Sequence, residues 1–378
     1  MDYDLSTEEK LVKDAAREFF SKEIDSTSIR EIAKNNKGYA PELWEKMADL
    51  GWIGMLIPDR YGQCEMSFLD MLLLLYEMGY ACFPGPFFST AVVGVITLLE
   101  AGSDAQKINL LPEVSRGDRI LTLAWAEPAG TYSAYGISAK ADLQNGHYVL
   151  SGTKLFVPYA HVADTILCAA RTEDSKERHE EGISLFILDK RSPGLGIEVL
   201  NSISNDKMCE VSLDHIHVPE ENLLGKRGQG WSVLKKVLLK ASVAKCAEMS
   251  GGAQRVVELT ADYAKKREQF GVPIGSFQAV QHQCANMLTY AETSRLMTYY
   301  AGWRISEGLP FEKEAYMCKA WVSNSYRLLT GLGHQVFGGL GFMEEIDLQL
   351  YFRHAKAAEL AFADSDFHRE QLAEYLGL

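Results

Sequence analysis

Arg267-Glu268-Gln269-Phe270-Gly271 is followed by Pro273 and, ten residues after the arginine, by Phe277-Gln278. An arginine fork pairs bidentately with phosphate oxygens, so this segment has the chemistry to hold a pyrophosphate. Later stand Gln335 and Gly338-Gly339-Leu340-Gly341, where missing side chains let a backbone come close to a ligand. Two further segments could face the same kind of molecule. Ala124-Trp125-Ala126-Glu127-Pro128-Ala129-Gly130-Thr131 reads as a strand running out into small residues, whose backbone N–H groups can approach a ring or a phosphate. Gly152-Thr153-Lys154-Leu155-Phe156-Val157-Pro158-Tyr159 offers an aromatic wall at Phe156, beside a proline that has no N–H to give.

The elements that must position these residues fall into three blocks, expected at 1–117, 118–230 and 231–378. The first is helical. Ser6-Thr7-Glu8-Glu9 has the form of a capping box, and Leu11, Val12, Ala15, Phe19 and Phe20 follow at helical spacing. Pro41 suits the first turn of another helix, and 68–80 reads as a deeply buried one. Pro84-Gly85-Pro86 interrupts, and a helix resumes over 87–99. In the middle block the period becomes two, predicting strands over 119–125, 148–157, 164–170, 183–188 and 210–218. Asn145-Gly146 and Ser192-Pro193-Gly194 are their turns, and the charged run 172–181 reads as a solvated loop. The last block predicts long helices over 231–266, 276–307, 311–337 and 346–375, the last broken near 363. Pro273 and Pro310 sit in the connections, where a proline can start a helix without interrupting one.

In this order the motifs resemble the acyl-CoA dehydrogenase flavoprotein family over essentially the whole chain. Ile57-Pro58-Asp59-Arg60-Tyr61-Gly62 is similar to the family's early Pro-x-x-Tyr-Gly turn, and Arg353-His354-Ala355-Lys356 to its late Arg-Asp-Ala-Lys. The resemblance implies an α+β fold: an N-terminal helical domain, a middle β-barrel-like domain and a C-terminal four-helix bundle. It implies FAD, held by Trp125, Ala126, Thr131, Phe156, Arg267, Phe270, Gln278, Gln335, Gly338, Gly339 and Asp366. Arg267, Phe270 and the glycines would reach the flavin of a neighbouring subunit, so a homotetramer, or a heterotetramer with a homologous chain, is expected. The implied reaction is α,β-dehydrogenation of an acyl-CoA thioester, with Ser89, Tyr132 and Phe362 at the substrate and electron-transferring flavoprotein as electron acceptor.

The chain departs from the family at the catalytic base. Nine residues after Arg353, where the family carries glutamate, stands Phe362; the second known location holds Ala241. Neither can remove a proton. Asp364, Asp366, Glu248 and Tyr132 remain. Asp364 is nearest to the vacant position, and a carboxylate in an apolar acyl pocket has its pKa raised. The alternative for Asp364 is a cap at the helix break or a hydrogen-bond acceptor facing the FAD. Ala126 in place of a threonine, and Pro158 in place of another, remove two more side-chain hydroxyls from the flavin's surroundings. The altered base suggests a branched, cyclic or dicarboxylic acyl group. A non-catalytic partner subunit and a nucleic-acid-associated relative are the competing readings.

Composition bears on the last of these. The formal net charge of −13 argues against a nucleic-acid surface, which needs a concentrated positive field. The seven cysteines (64, 82, 168, 209, 246, 284 and 318) are scattered without a Cys-x-x-Cys pair, so free thiols in a reducing compartment are expected in place of disulfides or zinc. His161, His282, His334 and His368 have no metal-ligand spacing. No apolar run is long enough to span a bilayer. The acidic start Met1-Asp2-Tyr3-Asp4 resembles neither a signal nor a transit peptide, and a cytoplasmic protein without membrane partners is expected.

Overall fold

The computed structural model describes residues 4–62, 66–173, 179–204 and 206–378. The first block is helical: α1 (Thr7–Glu23), α2 (Ser26–Lys34), α3 (Pro41–Asp49), α4 (Phe68–Ala81), a π-helical segment Phe88–Gly94 that runs into α5 (Val95–Ala101), and α6 (Asp104–Ser115). Ser6 and Glu9 form the expected reciprocal capping box, and Pro41 opens α3. Helix α4 is buried on nearly every side, which is why its sequence is apolar all round and not in a stripe. The short α2 and α6 lie outside the sequence expectations; their apolar positions are too few to make a clear stripe.

The middle block is one mixed sheet: β1 (Leu121–Ala124), β2 (Lys140–Gln144), β3 (His147–Pro158), β4 (Thr165–Arg171), β5 (Ile183–Asp189), β6 (Leu195–Leu200), β7 (Met208–Pro219) and β8 (Leu223–Leu224). Its order is β6-β7-β3-β2-β4-β5-β8, with β1 parallel to β4. Asn145 (φ 52°) and Gly146 (φ 78°) make the tight β2–β3 turn. Strand β2 was not expected from the sequence because it alternates weakly, with only Ala141 buried; β6 was missed because none of its residues is buried.

The third block holds α7 (Gly230–Lys266), a two-stranded ribbon of β9 (Glu268–Gln269) and β10 (Val272–Pro273), then α8 (Gln278–Ser306), α9 (Glu312–Phe337), α10 (Leu348–Leu360) and α11 (Ser365–Tyr375). Helices α4 and α7 cross backbone to backbone. A Cβ on Gly79 would lie 1.9 Å from Glu248 O, and one on Gly251 1.8 Å from Tyr76 O. This contact sets how Glu248 faces the end of α4. Among the described residues all six cysteines are free, no helix is long and apolar enough to cross a membrane, and no metal-ligating cluster occurs. Cys64 and residues 174–178 of the charged loop lie outside the described residues.

Candidate active site

A cavity of about 470 Å³ opens where the end of α4, the π-helical segment, the β1 and β3 strands, α7 and the α10–α11 turn meet. The volume is in the range of a small-molecule site. Trp125, Ala126, Phe156 and Pro158 line its β side. Phe156 sits at φ 54° in a stretch where the β3–β7 register shifts, and it is 64% exposed. A bulged strand re-aims a side chain in this way. Behind it, Lys154 and Glu127 form a buried ion pair, and Glu127 also accepts from Ser138 N at 2.9 Å and Ser138 Oγ at 2.6 Å. Burial alone would raise the Glu127 pKa, but the Lys154 charge and these hydrogen bonds hold it below its ordinary value. The pair ties the Glu127-Pro128 turn to β3. Pro158 lacks an N–H, and its carbonyl already accepts from Thr122 Oγ1 at 2.6 Å. Thr131 does not line the cavity; its hydroxyl is 3.1 Å from Ser133 Oγ.

The opposite wall is the α10–α11 turn. Phe362 (φ 57°) and Ala363 (φ 77°) both adopt left-handed backbone, and Phe362 lines the cavity against Phe88, ring centroids 5.6 Å apart. Non-glycine residues hold this conformation only when their surroundings fix it. Lys319, fully buried, does so: Nζ donates to Glu359 O at 2.9 Å, Ala363 O at 3.0 Å, Ala358 O at 3.2 Å and Ser323 Oγ at 3.0 Å. His368 Nε2 donates to Phe362 O at 2.9 Å. Tyr132 lines the same wall, its hydroxyl donating to Leu360 O at 3.3 Å, and burial raises its pKa with a push from the Asp364 charge. Ser89 lines the cavity, its hydroxyl donating to Pro86 O.

Two of the sequence candidates for acid–base work, Asp364 and Asp366, lie elsewhere. Asp364 caps α11, its carboxylate accepting from Phe367 N at 2.9 Å, and it does not line the cavity. The capping reading therefore describes its position. The two left-handed residues before it, Phe362 and Ala363, turn it back onto its own helix. Asp366 is exposed and paired with Arg369 at 2.9 Å, away from the cavity lining. Ala241 is fully buried.

Glu248 does line the cavity, with two neighbours the sequence did not single out, Lys245 and His354. Lys245 and Glu248 form a short ion pair one turn apart on α7, 12% and 10% exposed. Lys245 Nζ also lies over the Phe88 ring, 3.9 Å from its centroid. Burial raises the Glu248 pKa against the pull of Lys245, and the Asp206 charge adds to the rise. His354 Nε2 is 4.0 Å from Glu248, and burial pushes its pKa down to about 4, with the Lys245 charge assisting. The signal for Lys245 and Glu248 is present in the sequence, since two charges interrupt the apolar stretch 241–253 of α7.

Arg267, Phe270, Gln278, Gln335, Gly338 and Gly339 are all solvent-exposed and none lines the cavity. Phe270 is 92% exposed at φ 58°. A bare phenylalanine beside a bare arginine is an unsatisfied surface within one chain.

Family models for the acyl-CoA dehydrogenase N-terminal, middle and C-terminal domains match residues 6–118, 122–216 and 228–377. The chain belongs to the acyl-CoA dehydrogenase family. It is 30% identical to an acryloyl-CoA reductase (NADH) of Anaerotignum propionicum, over 99% of this chain and 95% of that one. It superposes on butyryl-CoA dehydrogenase from Megasphaera elsdenii with a TM-score of 0.92, 25% identity and full coverage of both chains. It superposes on PigA with FAD and proline with a TM-score of 0.93, 27% identity and full coverage of both. As an acyl-CoA dehydrogenase family member the protein is an oxidoreductase of CH–CH groups with FAD as cofactor. The residues fit that group: Phe156 offers an exposed ring and Pro158 an apolar face on the cavity's β side, and Phe362 lines the same cavity.

Proposed function

We propose that the cavity holds the acyl part of an acyl thioester between Phe362 and a flavin seated on Phe156 and Pro158. The observation that carries this is the pairing of the two walls. An exposed aromatic ring on the β side and an aromatic turn on the bundle side enclose a mostly apolar slot. Bound FAD supplies hydride exchange at the substrate β-carbon. The chain's own residues hold both partners, exclude water and manage the α-carbon proton. Trp125 and Ala126 join the flavin wall, and Ser89 stands at the substrate. Arg267, Phe270, Gln278, Gln335 and the glycines at 338 and 339 serve the FAD of a neighbouring chain, which accounts for their exposure and calls for an oligomer, a tetramer in our reading. In the oxidative direction the electrons leave to electron-transferring flavoprotein.

A second reading is favoured by Tyr132. No carboxylate stands at Phe362 or at Ala241, and Asp364 is engaged as a cap. Of the ionisable groups against the Phe362 turn, the one that also lines the cavity is the Tyr132 phenol, and its raised pKa keeps it protonated at neutral pH. A held proton suits delivery to the α-carbon of an α,β-unsaturated thioester, which is reduction, the direction named for the Anaerotignum relative.

One anaerobic experiment tests both. Saturated acyl-CoAs are titrated into the oxidised FAD-loaded protein and enoyl-CoAs into the reduced protein, following the flavin band. Bleaching by saturated thioesters supports dehydrogenation; recovery of the band only with enoyl thioesters supports reduction. If no thioester changes the band in either state, the proposal is overturned.

A further inference from the structure

An apolar acyl slot has no use for a buried ion pair, yet Lys245 and Glu248 stand on its wall. Removing two charges from water costs several kcal/mol per ion, and the attraction between them returns this only when the remaining donors and acceptors are also satisfied. Here they are not. Among the described residues, Lys245 Nζ has Glu248 as its one hydrogen-bond acceptor and the Phe88 face as its other neighbour. Glu248 receives its one hydrogen bond at Oε2, and Oε1 receives none. His354 adds a third group. Tyr326, whose phenol burial keeps protonated, lies 3.4 Å from His354 Nδ1. A proton donated there leaves an N–H on Nε2, the nitrogen nearest Glu248. The cluster thus presents spare ammonium N–H groups, an imidazole N–H and one free carboxylate oxygen to a cavity that all three residues line.

Resting on the acyl-thioester reading, we propose that this cluster recognises an uncharged polar group on the substrate's acyl chain, a hydroxyl or a carboxamide that donates to Glu248 Oε1 and accepts from Lys245 or His354. The charge count selects the uncharged class. Lys245 and Glu248 cancel, and His354 is neutral at physiological pH. Asp206, which lines the same cavity and accepts from Tyr159 Oη at 3.1 Å, leaves an excess of negative charge. A carboxylate on the acyl chain would add a second unmatched negative charge. An ammonium would compete with Lys245 for the Glu248 carboxylate and repel Lys245. A hydroxyl or an amide fills the open positions and changes no charge.

The position along α7 places this group away from the reacting carbons. Glu248 is seven residues beyond Ala241, about two turns or roughly 10 Å along the axis. Phe88 and Lys245 lie between Phe362 and Glu248 in the chain of contacts. The cluster therefore reads the far part of the acyl group, and its role is specificity.

The test uses the FAD-loaded protein under anaerobic conditions. Butanoyl-, hexanoyl- and octanoyl-CoA are compared with their ω-hydroxy, ω-carboxamide, ω-carboxylate and ω-amino derivatives, by calorimetric affinity and by the flavin band. At one chain length the ω-hydroxy or ω-carboxamide thioester is expected to bind about tenfold more tightly than the plain chain, the worth of one hydrogen bond to a charged group. Breaking the pair singly risks misfolding, so the variant replaces both partners, Lys245→Met with Glu248→Met. It should keep its melting temperature and its FAD, lose the preference and bind the plain chain at least as well as before. A plain chain that binds wild type as tightly as the hydroxy derivative overturns the proposal, as does tightest binding of the carboxylate or the ammonium derivative. A preference that survives in the double variant also overturns it. A hydroxyl preference lost in the double variant, with no change in the flavin band in either redox state, leaves this proposal standing while the redox reading falls. If no thioester binds, both fall.

Discussion

The ammonium of Lys319 on α9 lies 3.0 Å from the carbonyl oxygen of Ala363, forty-four residues further along the chain, and the same nitrogen reaches the last carbonyls of α10. The end of a helix leaves carbonyls without partners and carries partial negative charge. A buried cation there satisfies both and holds the turn in which Phe362 points into the cavity. Burial lowers the pKa of Lys319 to about 8. Lys319→Met should destabilise the protein by roughly 1.5–3 kcal/mol, the value of a charged hydrogen bond, measured by urea denaturation. It should also weaken acyl-CoA binding, because the Phe362 wall relaxes. Unchanged stability and unchanged binding would remove Lys319 from this role.

Gly79→Ala and Gly251→Ala should each cost about 1–3 kcal/mol by forcing α4 and α7 apart. The obstructing atoms are backbone carbonyls, at 1.9 Å and 1.8 Å from the added carbon, so no side chain can turn away. Thermal melts read the loss. The shift should carry over to ligand affinity, since Glu248 rides on the same contact.

For Asp364 the capping geometry sets the expectation. Asp364→Asn keeps a cap and should leave stability nearly unchanged; Asp364→Ala should cost about 1 kcal/mol. Stopped-flow flavin reduction should be unaltered in the asparagine variant. A drop of about 10²–10⁴-fold in that rate would instead identify Asp364 as the proton acceptor.

Stability should decline as pH falls from 6.5 towards 4. His354 and His368 are both pushed by burial from 6.5 down to about 4. In that window the unfolded chain binds their protons and the folded protein does not, so the unfolded state gains, by up to about 3 kcal/mol per histidine. Glu127, held low, acts in the same direction as the pH falls. Glu77 and Glu248, held high, act in the opposite one. Urea midpoints measured across this range should show the slope, and His368→Gln should flatten it.

Arg267→Ala should loosen FAD without unfolding the chain, because the side chain is exposed. A loss of roughly 1.5–3 kcal/mol in FAD binding is expected. Light scattering on the same samples checks that the assembly is an oligomer. A monomer that retains all its FAD would contradict a site shared between chains.

By itself the sequence determined the order of helices, strands and helices, and it carried segments that resemble the family's FAD motifs, with a phenylalanine at the position aligned with the family's glutamate. These are local or pattern-borne properties: a capping box at Ser6, the Asn145-Gly146 turn, and a phenylalanine at 362 where a carboxylate is expected. It did not reveal β2 and β6, whose alternation is weak because they bury few or no residues. It also left open what Asp364 does. Its role depends on two consecutive left-handed residues, and these are held by a lysine on another helix. Only tertiary structure could bring Lys245, Glu248 and His354 onto one wall, since that depends on α4 and α7 touching through two glycines and on α10 folding back across them. A charged pair inside an apolar helix is visible in the chain, but which surface it faces is decided by packing.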